Sequence, residues 1–152
     1  MSTLVTIYYR TNMLYFRSCS QTTTGLWLEN DSTISLDTAN GKRDTGNTVL
    51  NALGQSAHGI PHPTSWDADD NSLFWKLAGA KSWASFVKGA SCVSVELDNG
   101  KMTVSPYINK GAKEGFTPIL GKEIYLHGNL SADEIGAAVY RAFAFCEPTP
   151  TF

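Results

Sequence analysis

His58 and His62 in "HGIPHP", with Asp67, Asp69 and Asp70 just beyond in "SWDADD", are the residues whose types come closest to doing chemistry. Two imidazoles four residues apart are spaced like two ligands of one metal, and on a helix they would share a face. Gly59, Pro61 and Pro63 forbid a regular helix there, and no third ligand is placed by the sequence. The aspartates follow Trp66 in an alternation that resembles the start of a calcium loop but lacks its glycine and terminal glutamate. A catalytic carboxylate pair would need a cleft and a raised pKa. Two readings of the segment stand. It is a solvated loop whose acids cap the helix beginning near Ser72, or an aromatic flanked by carboxylates that suits a basic protein surface.

The remaining reactive types are less suggestive. His127 sits beside Gly128 at the end of a strand, where a surface turn is expected. Cys19, Cys92 and Cys146 are an odd, widely spaced set without a CxxC pair, which fits reduced thiols in a cytoplasmic protein. Cys92 falls in a strand and Cys146 in a helix, where cysteine behaves as a small buried hydrophobe. Trp75 and Trp83 read as core anchors. No GxSxG, GxGxxG or P-loop pattern occurs.

The elements that must position these residues follow from pattern. A chain of 152 residues, 42% hydrophobic and 17% charged, is expected to form one domain over 1–152 with a core that needs no metal or disulfide. The net charge is −2, and the 12 lysines and arginines are scattered, which argues against nucleic acid as a partner. The first ten residues lack a basic region followed by an apolar run, so no signal peptide is expected, and no stretch reads as a membrane span. Residues 4–20, rich in β-branched and aromatic types around Thr11-Asn12, predict two strands. "GLWLEN" and "STISL" predict a short strand pair around Asp31, and the polar stretch 37–47 interrupts the pattern. "TVLNALG" closes a short helix before Gly54, residues 55–71 have no period, and 72–90 predict one or two short helices with Ser82 as an N-cap.

"VSVELDNGKMTVSPY" is the sharpest element. Asn99-Gly100 favours a type I′ turn, which sets Asp98 opposite Lys101, Leu97 opposite Met102 and Val95 opposite Val104. One face then carries Val93, Val95, Leu97, Met102 and Val104, and the other Glu96, Asp98, Lys101 and Thr103. A strand is expected from Glu123 to Leu126. A C-terminal helix over 131–146 is predicted from Ser131, capped in a box with Glu134, and from the stripe Ile135, Ala138, Val139, Ala142, Phe143, Cys146. Gly136 costs helix propensity, which close packing against the sheet would explain. The expected class is α+β: a mostly antiparallel twisted sheet with helices packed on it.

Read in order, "W..FVKGA" (Trp83 to Ala90), "T.SPY.N" (Thr103 to Asn109), "GF.P" and "SADEIGAAVYRAF..CE" resemble the C-terminal half of immunity proteins from bacterial contact-dependent growth-inhibition systems, the CdiI-like family. The resemblance spans roughly residues 73–147, in pattern terms about half the chain. It implies a non-enzymatic cytoplasmic protein, a monomer or weak homodimer without a cofactor, that binds and neutralises the C-terminal toxin domain of a surface-exposed effector, often a nuclease. The matching residues are fold residues, so the contacts are assigned from physics. Carboxylates can imitate phosphates before a basic nuclease cleft, which favours Trp66, Asp67, Asp69 and Asp70, with Glu29 and Asp31 second. Hydrophobic contacts or strand addition along a free sheet edge stand beside that reading. The competing readings are a small metal-dependent hydrolase using His58, His62 and Asp67–Asp70, and a ligand-binding module built on the aromatics.

Overall fold

The computed structural model describes residues 2–64 and 72–152, which form eight strands and four helices. The strands β1 (Thr3–Arg10), β2 (Met13–Thr22), β3 (Trp27–Asp37), β5 (Ser91–Asp98), β6 (Lys101–Asn109) and β7 (Phe116–Pro118) lie in the order β3-β2-β1-β5-β6-β7. The short β4 (His58–Ile60) runs parallel to β2, and β8 (Ile124–His127) is antiparallel to β6. The helices are α1 (Gly41–Leu53), α2 (Ser72–Leu77), α3 (Trp83–Val87) and α4 (Ala132–Phe143). The expected α+β class, a mostly antiparallel sheet carrying helices, is what forms.

Two tight hairpins set the register. Asn99 and Gly100 both have positive φ (50° and 78°), and β5 meets β6 with Asp98 opposite Lys101, Leu97 opposite Met102 and Val95 opposite Val104. Thr11 and Asn12 do the same between β1 and β2 (φ 52° and 62°). Both turns match the right-handed twist of the strands they join. With the register set, alternation sends Val5, Ile7, Leu14, Phe16, Val93, Val95, Met102 and Val104 to one face, where they pack with Val49, Ile135, Val139 and Phe143 of α1 and α4.

α4 starts as its sequence predicts, with the Ser131 hydroxyl accepting from the Glu134 N–H at 3.2 Å. It ends at Phe143 rather than at 146, so Cys146 lies in the turn beyond the helix, still fully buried. Gly136 is a close-approach residue, but against α1 rather than the sheet. A Cβ on Gly136 would stand 1.8 Å from the Lys42 carbonyl oxygen, and one on Gly46 would stand 1.8 Å from that of Ala132. The two helices therefore cross backbone to backbone at a reciprocal pair of glycines, a closeness that only residues without a Cβ permit.

Other segments differ from their expected form. Residues 27–37 are one strand, bulged where Asn30, Asp31 and Ser32 oppose Ser18. The Asn30 amide pins the bulge, donating to Ser20 Oγ at 2.9 Å while its oxygen accepts from the Ser32 N–H at 2.8 Å. The polar stretch 37–47 continues the structure: Asp37 caps a short 3-10 turn that leads into α1, which reaches Gly54 as expected. Within 55–64, His58–Ile60 joins the sheet because β1 no longer occupies that side of β2. The eighth strand begins and ends one residue later than expected.

Candidate functional site

The second face of the sheet is built from Tyr8 on β1, Tyr15, Arg17 and Cys19 on β2, Glu29 on β3, and Cys92 and Ser94 on β5. The alternation that buries Val5, Ile7, Leu14 and Phe16 on the other side makes them share it. Helices α2 and α3 cover part of it. Phe74 and Phe86 pack on each other at 4.9 Å between centroids and on Tyr8 at 6.0 and 5.4 Å, with Trp83 and Phe116 completing an aromatic cluster. Asn109 ties the end of α3 to the sheet, its amide donating to the Val87 and Ala90 carbonyls at 2.7 and 2.8 Å.

Inside this cluster lies an ion pair. The Arg17 guanidinium, its side chain 5% exposed, pairs with the Glu29 carboxylate, and Tyr8 Oη donates to the same carboxylate. The Phe74 ring covers the guanidinium at 4.2 Å, a cation–π contact inside a water-poor setting. Burial pushes the Tyr8 phenol well above its ordinary range, with the Glu29 charge adding to it, so Tyr8 is a protonated donor at neutral pH. The sequence carries one signal of this arrangement: Arg17 is the lone charge in the otherwise uncharged run "MLYFRSCS".

The thiols on both faces are quiet. Burial pushes the Cys19 and Cys146 thiols up to about 11 and Cys92 well up, which suppresses the thiolate that nucleophilic chemistry needs. The expected burial of Cys92 and Cys146 holds. His58 Nε2 bonds the Ser2 carbonyl and its ring meets Trp27 edge-on at 5.9 Å, while His62 Nδ1 pairs with Thr24 Oγ1 at 2.9 Å. Among the described residues no three His, Cys, Asp or Glu side chains converge on one point. A groove of about 470 Å³ beside α3, lined by Ala84, Val87, Lys88, Asn109 and Pro148 among others, carries one charged side chain.

The sequence-assigned contact residues fall in different settings. Trp66, Asp67, Asp69 and Asp70 lie outside the described residues, as does the side chain of Trp75. Glu29 is half-buried and committed to Arg17 and Tyr8, whereas Asp31, two residues on, stands exposed on the pinned bulge of the edge strand. On the same sheet face beyond the aromatic cluster, Glu96, Thr103 and the 52%-exposed Tyr125 form a polar strip, with Lys101 Nζ 4.6 Å from the Tyr125 ring centre.

Fold and face together define an α+β protein in which Tyr8, Arg17 and Glu29 on the sheet are joined to the covering Phe74. The chain belongs to the CdiI family of CDI immunity proteins, whose family model matches residues 64–146, more than half of it. Its fold is similar to that of a protein of unknown function, NMB0488, from Neisseria meningitidis (TM-score 0.80, 19% identity, 96% of each chain covered). It is similar also to a chain of the CdiA-CT/CdiI toxin and immunity complex from Yersinia pseudotuberculosis (TM-score 0.79, 16% identity, 96% of this chain and 98% of that one). No curated protein matches it in sequence. No helix among the described residues is long and apolar enough to cross a membrane.

Proposed function

We propose that residues 1–152 act as one immunity domain that binds the C-terminal toxin domain of a contact-dependent growth-inhibition effector in the cytoplasm and neutralises it by contact, without catalysis. The observation that carries this is the family match over residues 64–146. The shared fold with a toxin–immunity complex from Yersinia pseudotuberculosis supports a protein partner. The chain works as a monomer or weak homodimer, without metal, cofactor, nucleic acid or membrane. Its toxin is a nuclease, and the acidic side chains imitate the phosphates that its basic cleft binds. Trp66, Asp67, Asp69 and Asp70 make the principal contacts, with Glu29 and Asp31 second, Glu29 keeping its pairing with Arg17. Asp31 is well suited to this work because the Asn30 hydrogen bonds fix it before the partner arrives.

Calorimetric titration against the toxin domain encoded immediately upstream tests the contact assignment. Reversing Asp67, Asp69 and Asp70 together to lysine is expected to weaken binding by about 100-fold, with a melting temperature within about 2 °C of the parent. A triple variant that binds like the parent removes the segment from the interface.

A further inference from the structure

The turn joining β7 to β8 presents Leu120 with 85% of its surface in water, the most exposed large hydrophobic side chain among the described residues. This turn is tightly held. The Lys122 N–H donates to the Ile119 carbonyl at 3.4 Å, and Gly121 has φ 85°, as a type II turn requires at its third position. The Glu123 carboxylate accepts from the Gly121 N–H at 3.2 and 3.3 Å, and the Ile119 N–H donates to the Pro106 carbonyl at 2.9 Å. The turn's demand falls on Gly121, and the position Leu120 fills, where proline is common, requires no particular side chain. Two residues on, Lys122 lays its ammonium 5.1 Å from the ring centre of Phe145, itself 41% exposed.

We propose that Leu120, with Lys122 on the same turn reaching Phe145, is an apolar anchor that inserts into a pocket on the toxin domain; this rests on the immunity reading above. A leucine mounted on a prefixed turn gives up little conformational freedom on docking, so burial of its surface counts almost undiminished. A second copy of this chain is a poor occupant. Leu120 and Phe145 together expose on the order of 200 Å², so two copies meeting tip to tip bury about 400 Å², far below the roughly 1,200 Å² of stable interfaces. The anchor is then one part of a larger interface, for which the immunity reading supplies the toxin domain as partner.

The test titrates the parent chain, Leu120→Asp and Leu120→Met with the purified upstream-encoded toxin domain, alongside melting curves and light scattering of each chain alone. Leu120→Asp is expected to weaken binding by about 100-fold and Leu120→Met by no more than about threefold, all three chains melting alike. Parent-like binding by Leu120→Asp overturns the anchor and leaves the immunity reading standing. Absence of binding by the parent chain overturns both. A parent dimer that Leu120→Asp dissolves at unchanged toxin affinity assigns the knob to a second copy and overturns the proposal.

Discussion

On the face of the sheet beneath α1 and α4, Val5, Ile7, Phe16, Val93 and Val95 meet Val49, Ile135 and Phe143, and a pair of glycines lets the covering helices touch backbone to backbone. On the other face Tyr8, Tyr15, Phe74 and Phe86 surround the Arg17–Glu29 pair, and the layer thins toward Glu96, Thr103 and exposed Tyr125. The first arrangement is held mainly by packing, with the buried Ser18 hydroxyl donating to the Ala52 carbonyl of α1 at 2.6 Å, so its tolerance is set by volume. The second is held by geometry and charge together, and its covering helices are six and five residues long. A buried ion pair is a poor source of net stability but costly to break, so it specifies how α2 and β3 sit on the sheet more than it strengthens them. The difference separates a layer set by packing from one set by packing and charge together.

Breaking the first face is expected to have the largest effect. Gly136→Ala places a methyl 1.8 Å from the Lys42 carbonyl oxygen. The overpacking should cost about 3 kcal/mol, outweighing the helix propensity that alanine gains. Chemical denaturation measures it, and a neutral or stabilised variant would show that α1 and α4 do not cross so closely. Next in size, Arg17→Met removes the counter-charge of Glu29 and the cation over Phe74, and should cost about 2 kcal/mol, the loss being moderated because Glu29 keeps some access to water and its bond from Tyr8. The double variant Arg17→Met/Glu29→Leu should recover most of that stability, because the carboxylate goes too. A double-mutant cycle in the same denaturation assay checks the coupling.

A third expected effect is on pH dependence. Cys19 and Cys146 are pushed from 9.0 to about 11 by burial, and Cys92 well up. Between those values the folded chain keeps thiol protons that the unfolded chain releases, so stability is full below about pH 9 and falls as pH rises toward 11. The slope approaches about 1 kcal/mol per pH unit for each thiol. Denaturation at pH 8 and pH 10 measures the loss, and replacing Cys19 and Cys146 by alanine should reduce it to the share that Cys92 carries.

The first face was largely legible in the sequence because its signals are local. Asn99-Gly100 dictates its own turn, alternation dictates which side chains go inward, and Ser131 with Glu134 starts α4. What was not legible depends on residues far apart in the chain. Gly136 announces a close approach but not its partner, since Lys42 is brought to it only by the fold. The bulge that merges two expected short strands into β3 depends on Asn30 reaching Ser20 and Gln55. Arg17 stands out in its run, yet nothing in the sequence couples it to Glu29 or Phe74. A contact surface is harder still, because neither periodicity nor burial selects for residues that face a partner. Leu120 shows it: in the sequence it is one more leucine, and only its 85% exposure on a fixed turn sets it apart.

Growth of a susceptible bacterial host producing the upstream-encoded toxin domain, with and without this chain, tests the immunity reading most directly. The account predicts arrest with the toxin alone and growth restored when the chain is co-produced at equal or greater level. Continued arrest in cells that hold the folded chain in excess would contradict it.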